Sequence, residues 1–146
     1  MSQVTNEPSR PFSWPVRVYI EDTDAGGIVF YVNYLKYMER ARTEFLRHIG
    51  FDHAQLIQHG VMFVIHSVDI KYDKPARLDD ALSVTVEVAE LRRTNLVFKQ
   101  NVLNADTGET YARAMVRGVY VTRSDLKPCR IPAEIAQALD AQRECS

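Results

Sequence analysis

The sequence predicts an α+β fold in which an antiparallel sheet wraps around one long helix. Three observations predict it. One apolar stripe runs through Tyr34, Met38, Ala41, Phe45 and Ile49 at helical spacing. Five other stretches alternate apolar and polar residues at period two, the pattern of half-buried strands. The links between the later stretches have hairpin length, which forces antiparallel pairing. A lone long helix must bury its stripe against the sheet.

Each element follows in chain order. Residues 1–12 are polar and carry Pro8 and Pro11, so a frayed tail is expected there, with one domain over residues 13–146. Trp14 to Ile20 is the first strand, Val16, Val18 and Ile20 alternating with Arg17 and Tyr19. A turn follows in Glu21-Asp22-Thr23-Asp24-Ala25-Gly26-Gly27. Asn33 is placed to cap a helix over residues 34–49, which Gly50 ends. Residues 52–59 form a short helix or irregular turn. Phe63 to Tyr72 is a strand that Pro75 stops. Leu82 to Leu91 is the next, with Val84, Val86 and Val88 on one face. Arg92-Arg93-Thr94-Asn95 links it to Leu96–Leu103, and Asp106-Thr107-Gly108 turns into a long strand from Thr110 to Thr122. Gly118 inside that strand marks a bulge or a close approach. Pro132 opens a terminal helix to about Ala141.

Composition narrows the function classes. The 146 residues suit one domain, at roughly 100–200 residues per domain. With 46% hydrophobic and 25% charged residues the chain can bury a core. Its 18 Lys and Arg against 19 Asp and Glu give a net charge of -1, which provides no electrostatic footprint for nucleic acid. No apolar run approaches the ~20 residues of a spanning helix, so no transmembrane segment is expected. The first residues lack the pattern of a secretory signal, and Cys129 and Cys145 form no CxxC pair, so a reducing, cytoplasmic setting is expected. His48, His53, His59 and His66 show no metal-ligand spacing, and no metal or other cofactor is expected.

The informative stretch is Glu21 to Arg42. Three acids and two glycines stand in a turn just before a helix. The glycines let the chain double back and let a ligand approach backbone N–H groups. The helix start adds unpaired donors and the positive end of its dipole. A carboxylate beside such donors is what acyl transfer needs: one group delivers or activates a nucleophile, and the donors stabilise charge on a carbonyl oxygen. The same residues would also serve a solvated acidic turn that only caps the helix.

The run Asp22-Thr23-Asp24-Ala25-Gly26-Gly27-Ile28-Val29-Phe30-Tyr31, with Asn33-Tyr34, resembles the active-site signature of the 4-hydroxybenzoyl-CoA thioesterase family. The resemblance implies a hotdog fold, the helix wrapped by a sheet. It is closest to the acyl-CoA thioesterases associated with the Tol-Pal system, through Trp14-Pro15-Val16-Arg17-Val18, Glu39-Arg40-Ala41-Arg42-Thr43-Glu44 and Tyr72-Asp73-Lys74-Pro75-Ala76-Arg77-Leu78-Asp79-Asp80. It covers roughly residues 14–130. It implies that Asp24 is the catalytic carboxylate, acting as nucleophile or as general base, and that the backbone N–H of Tyr31 polarises the thioester carbonyl. The Tol-Pal subgroup usually has histidine at position 31; the tyrosine here is more similar to the aromatic-acyl thioesterases.

Arg92 and Arg93 form a plausible phosphate clamp, since guanidinium binds phosphate in bidentate fashion, and Thr94 adds a hydroxyl. The resemblance implies that coenzyme A phosphates bind near this link. Glu39 reads as a structural ion-pair residue, Tyr34, Tyr37 and Phe45 as core, and Glu21 and Asp22 as turn-forming residues. The expected activity is hydrolysis of an acyl-CoA to free acid and coenzyme A. The resemblance further implies a homodimer or homotetramer with the site at a subunit interface, and an unpaired edge strand would favour such pairing. The competing class is a non-catalytic module holding acyl carrier protein or a lipid-synthesis enzyme. Dehydration of hydroxyacyl thioesters needs a paired Asp and His in a motif absent here.

Overall fold

The computed structural model describes residues 11–145, so the expected tail lies outside it except for Pro11 and Phe12. Nine elements follow in chain order: β1 (Phe12–Arg17), a 3₁₀ turn (Ile20–Asp22), α1 (Asn33–His48), α2 (His53–Gln58), β2 (Val61–Tyr72), β3 (Ala81–Leu91), β4 (Asn95–Asn104), β5 (Thr110–Thr122) and α3 (Ala133–Cys145). The strands form one antiparallel sheet in the order β1-β3-β4-β5-β2. The α+β class and the sheet around a long helix are as expected. α1 packs on β1, β3 and β4, while α2 packs on β2.

The α1 stripe meets the sheet as its spacing requires. Tyr37, Met38, Ala41 and Phe45 are buried in one cluster with Leu82, Val84, Phe98 and Val116. Phe45 and Phe98 meet edge to face at 5.7 Å. Truncating a buried phenylalanine of this kind typically costs ~3–5 kcal/mol. Of the buried polar side chains Asn33, Thr85 and Gln100, Gln100 is fully buried; it donates through Nε2 to the Met38 carbonyl at 3.0 Å and accepts from Arg42 Nη1 at 2.8 Å. Gly50 ends α1 with a φ of 101°. Its N–H reaches the Arg47 carbonyl and that of Phe51 the Leu46 carbonyl, the paired bonds of a glycine-closed helix.

Several elements differ from expectation. β1 begins at Phe12, inside the segment read as a tail, because Phe12 pairs with Val86 and its ring packs on Phe45. It ends at Arg17, and Ile20 is 75% exposed in the 3₁₀ turn rather than buried in a strand. Asn33 does not cap α1; it lies within the helix and its amide turns back to the loop. In the sequence of β2, Val64, Val68, Ile70 and Tyr72 stand against Ser67, Asp69 and Lys71, a pattern that puts Val64 and Val68 on one apolar face. Both remain about 40% exposed, as does Ile65, because β2 is an edge strand and α1 packs on the other side of the sheet's width. β5 carries no bulge at Gly118; the irregularity is on β2 between Ile65 and Ser67. The close approach is real, made by a side chain: a Cβ on Gly118 would stand 1.9 Å from the Phe63 ring. α3 starts one residue after Pro132 and runs to Cys145.

Candidate active site

The loop carrying Asp24 is a small hairpin. Thr23 bridges to Val29. Asp24 N–H donates to the Ile28 carbonyl at 3.0 Å, and Gly27 N–H donates back to the Asp24 carbonyl at 3.1 Å. That return needs the φ of +79° at Gly27, which glycine takes without strain. Asp24 Oδ1 accepts from Gly26 N–H at 2.9 Å, and the carboxylate is otherwise open to solvent. A Cβ at Gly26 would lie 3.3 Å from that oxygen, so a larger residue would crowd the carboxylate.

Two struts hold the hairpin. The first is Asp22, whose carbonyl accepts from Phe30 N–H at 2.9 Å and from Asn33 Nδ2 at 2.8 Å. Its carboxylate accepts from Tyr19 N–H at 2.9 Å, so Asp22 shapes the turn as expected. The buried Tyr37 hydroxyl lies beside that carboxylate without hydrogen-bond geometry; burial first, then Asp22, push its pKa upward. The second strut is Ala76, which accepts from Val29 N–H at 2.8 Å and donates to the Tyr34 hydroxyl at 2.9 Å. Burial raises the Tyr34 pKa, so the phenol stays neutral. Asn33 and Ala76 were missed by sequence reasoning. Asn33 was noticed only as a cap, and nothing local to Ala76 announces a contact across 42 positions.

The entry to α1 is tight. The N–H groups of Asn33, Tyr34 and Leu35 close onto the carbonyls of Phe30, Tyr31 and Val32 at 2.8, 3.3 and 3.1 Å. Among the described residues nothing accepts the Tyr31 N–H. It stands at the positive end of the helix, where a developing oxyanion would be stabilised. The Tyr31 ring is 58% exposed and meets Phe30 at 5.1 Å and Tyr72 at 5.8 Å, edge to face. Tyr72 also contacts Tyr34 at 5.6 Å. An exposed aromatic surface therefore borders the loop.

The other expected site residues are elsewhere. Arg92, Arg93 and Thr94 lie in the turn after Leu91, whereas the loop of Asp24 ties to residues 76–78 just before Ala81. β3 separates the two, roughly 33 Å at 3.3 Å per residue. One chain does not bring them together. Arg92 Nε pairs with Glu90, which also takes Arg117 Nη2 at 3.0 Å. The two arginines hold the Glu90 carboxyl below its usual range. Arg117 continues to Asn95 at 2.6 Å, and Asn95 donates to the Thr94 hydroxyl at 3.1 Å. The Arg93 side chain is exposed and unpaired among the described residues. Its carbonyl accepts from Ile131 N–H at 2.9 Å.

Comparison with known proteins gives a consistent picture. The model of the thioesterase-like superfamily matches residues 18–139. The acyl-CoA thioester hydrolase YbgC of Escherichia coli O6:H1 is 44% identical over 124 residues, covering 85% of this chain and 92% of that protein. The acyl-CoA thioesterase YbgC of Haemophilus influenzae is 39% identical over 128 residues, covering 87% and 93%. A crystal structure of a hypothetical protein from Aquifex aeolicus superposes with a TM-score of 0.81 at 34% identity, covering 88% of this chain and 99% of that one. No helix among the described residues is long and apolar enough to cross a membrane.

Proposed function

The chain belongs to the thioesterase-like superfamily, in the YbgC group of acyl-CoA thioester hydrolases, and we propose that Asp24 and the Tyr31 N–H carry its reaction. It is an acyl-CoA thioesterase that splits an acyl-CoA into a free acid and coenzyme A. The thioester carbonyl oxygen sits on the Tyr31 N–H, and the Asp24 carboxylate attacks the carbonyl carbon or takes a proton from the attacking water. The C–S bond then breaks and coenzyme A leaves as the thiol after taking up a proton. On the general-base route the free acid forms directly; on the nucleophilic route a water hydrolyses the acyl–Asp24 anhydride to release it. One observation carries this reading: a solvent-facing carboxylate and an N–H without an acceptor stand on one loop that Asp22 and Ala76 fix in place. Donors held ready before the substrate arrives need no reorganisation in the transition state.

Arg93 contacts the coenzyme A phosphates in this proposal, with Arg92 and Thr94 beside it. The 33 Å scale of β3 favours a site shared between chains, and the open β2 edge supports a homodimer with one continuous sheet, or a homotetramer built from it. The setting is cytoplasmic. The test is free-thiol release across a panel of aliphatic and aromatic acyl-CoA esters, with Asp24→Asn run in parallel. Turnover of at least one ester that the variant loses supports the reading. Turnover equal in both would remove Asp24 from the reaction, and tight binding of acyl carrier protein with no hydrolysis by wild type would favour a holding module instead.

A further inference from the structure

The loop of Asp24 leans on a second turn, residues 76–80, that the proposed reaction does not use. Arg77 bridges antiparallel to Ile28. Around that bridge Val29 N–H donates to the Ala76 carbonyl at 2.8 Å, and Leu78 N–H donates to the Gly27 carbonyl at 3.2 Å. Residues 27–29 are thus the middle of a small ladder, with Thr23 and Asp24 on one side and residues 76–78 on the other. Where the outer arm of that ladder stands, the return arm of the Asp24 hairpin must follow.

One oxygen sets the outer arm. Asp80 Oδ2 accepts from Arg77 N–H at 2.9 Å and from the Tyr111 hydroxyl at 3.0 Å. The first bond, together with Asp80 N–H on the Arg77 carbonyl at 3.1 Å, closes the turn in both directions. The second ties the turn to β5. Tyr111 is buried, and its hydroxyl accepts from Asn104 Nδ2 at 2.9 Å, so the tie reaches the end of β4. Burial foremost raises the Tyr111 pKa, so the phenol keeps the proton it donates. The turn needs this holding. Between Arg77 and Asp80 the chain passes through Asp79 at a φ of 71°, in the left-handed region that strains a residue with a Cβ. The Val18 carbonyl accepts from Asp79 N–H at 3.0 Å, and the Asp79 carbonyl accepts from Arg17 Nη1 at 2.9 Å. Those bonds fix the turn to the end of β1, and the Asp80 carboxylate fixes it to β5.

We propose that Asp80 is a positioning residue of the thioesterase reaction. Through Arg77 and Leu78, its Oδ2 sets where the Gly27–Val29 arm stands, and so where the Asp24 carboxylate points. Asp80 supplies geometry and moves no proton. Geometry is enough, since a misplacement of about 1 Å in a reacting group costs up to about 10²-fold in rate. The negative charge is dispensable, because a single oxygen takes both bonds and an amide oxygen replaces it. The inference rests on the role given to Asp24 above.

Steady-state thiol release tests it, with every variant assayed at a temperature where circular dichroism shows it folded. Asp80→Ala loses both bonds and lowers kcat about tenfold while KM stays within about twofold, the split of lost geometry rather than lost binding. Asp80→Asn keeps the oxygen and holds kcat within about twofold of wild type. Tyr111→Phe removes one bond, lowers kcat about threefold, and takes the place of Asp80→Ala in every comparison if that variant does not fold. The decisive arm is the double variant Asp24→Asn/Asp80→Ala. It is no slower than Asp24→Asn alone, because the effects of groups that act as a unit do not add. Near wild-type kcat in Asp80→Ala, an Asp80→Asn variant as slow as Asp80→Ala, or a loss repeated in full on the Asp24→Asn background would each overturn the proposal. Asp24→Asn alone separates it from the reading beneath it. Full turnover in that variant overturns the role of Asp24 and this proposal together, whereas an inactive Asp24→Asn beside a normal Asp80→Ala overturns the positioning role only.

Discussion

The two ends of β3 carry opposite kinds of polar chemistry. At the Ala81 end, the loop spends its backbone on fixing itself and leaves an exposed Asp24 carboxylate and an unclaimed Tyr31 N–H. At the Leu91 end, the charges largely satisfy one another: Arg92 and Arg117 share Glu90, and Asn95 ties Arg117 to Thr94. Only Arg93 is left over there among the described side chains of that turn. Unsatisfied groups held rigidly are suited to chemistry. A mutually paired charge network is suited to shape, and it gives up a ligand contact only where one member is spare.

Removing the carboxylate should break this contrast most. Asp24→Asn keeps an acceptor for Gly26 N–H, so the fold stays within the ~0.5 kcal/mol of an ordinary surface change. A lost general base should cost about 10²–10⁴ in kcat, measured by thiol release. Near wild-type turnover would put the reacting group elsewhere. Tyr31 comes next. Tyr31→Pro deletes the N–H and should cost about 10²–10³ in kcat, with circular dichroism checking that α1 still forms. Tyr31→Phe keeps the amide and the ring contacts and should retain most activity. Tyr31→His should also stay active, with an altered acyl preference because the side chain borders the loop. A Phe variant as inactive as Asp24→Asn would make the phenol the working group.

The arginine end should respond in binding. Arg93→Ala should raise KM for acyl-CoA about tenfold with little change in kcat, the size of one charged hydrogen bond. Arg92→Ala should do less, because Glu90 already holds that guanidinium. Neither should affect a short thioester lacking the nucleotide; equal losses on both substrates would return the pair to a structural role. The smallest effect belongs to Asp73, paired with exposed Arg113. Arg113 holds the Asp73 carboxyl below its ordinary 3.8, so the pair stabilises fully above that value and loses this contribution as pH falls through the lowered one. Asp73→Asn should therefore lower the melting midpoint slightly at neutral pH and not at all in strong acid. A gap that widened toward low pH would contradict that sign.

Sequence reasoning succeeded where one face or one turn decides the outcome. The Val84, Val86, Val88 alternation marks the buried face of β3, and Gly50 marks the end of α1, because neither depends on distant residues. Asp24 and Tyr31 came from the family resemblance of a short run, and both lie on one tied loop. Failures came where a distant group competes. Asn33 had a cap to make, but the Asp22 carbonyl lay in reach. Val64 and Val68 have the pattern of buried residues, yet β2 has no neighbour on its outer side. Gly118 was correctly marked as a tight place, though not as the seat of a ring 55 positions earlier in the chain, since register alone brings Phe63 beside it. The Arg123 Nε and Nη2, buried without an acceptor among the described residues, had no sequence signal, since only packing separates that side chain from the paired Arg113.

The amide of Gln100 has a mechanical consequence for α1. It grips the carbonyl of Met38 partway along α1, where the helix is fully buried. A helix resting on apolar side chains alone is free to creep like a screw in a worn thread. Advancing by one residue would move it ~1.5 Å along its axis and turn it about 100°. Gln100 acts as a set-pin against that motion, because any slip would strip a fully buried donor of its acceptor. Through α1, Gln100 thus fixes from the core where the helix entry just after Tyr31 stands.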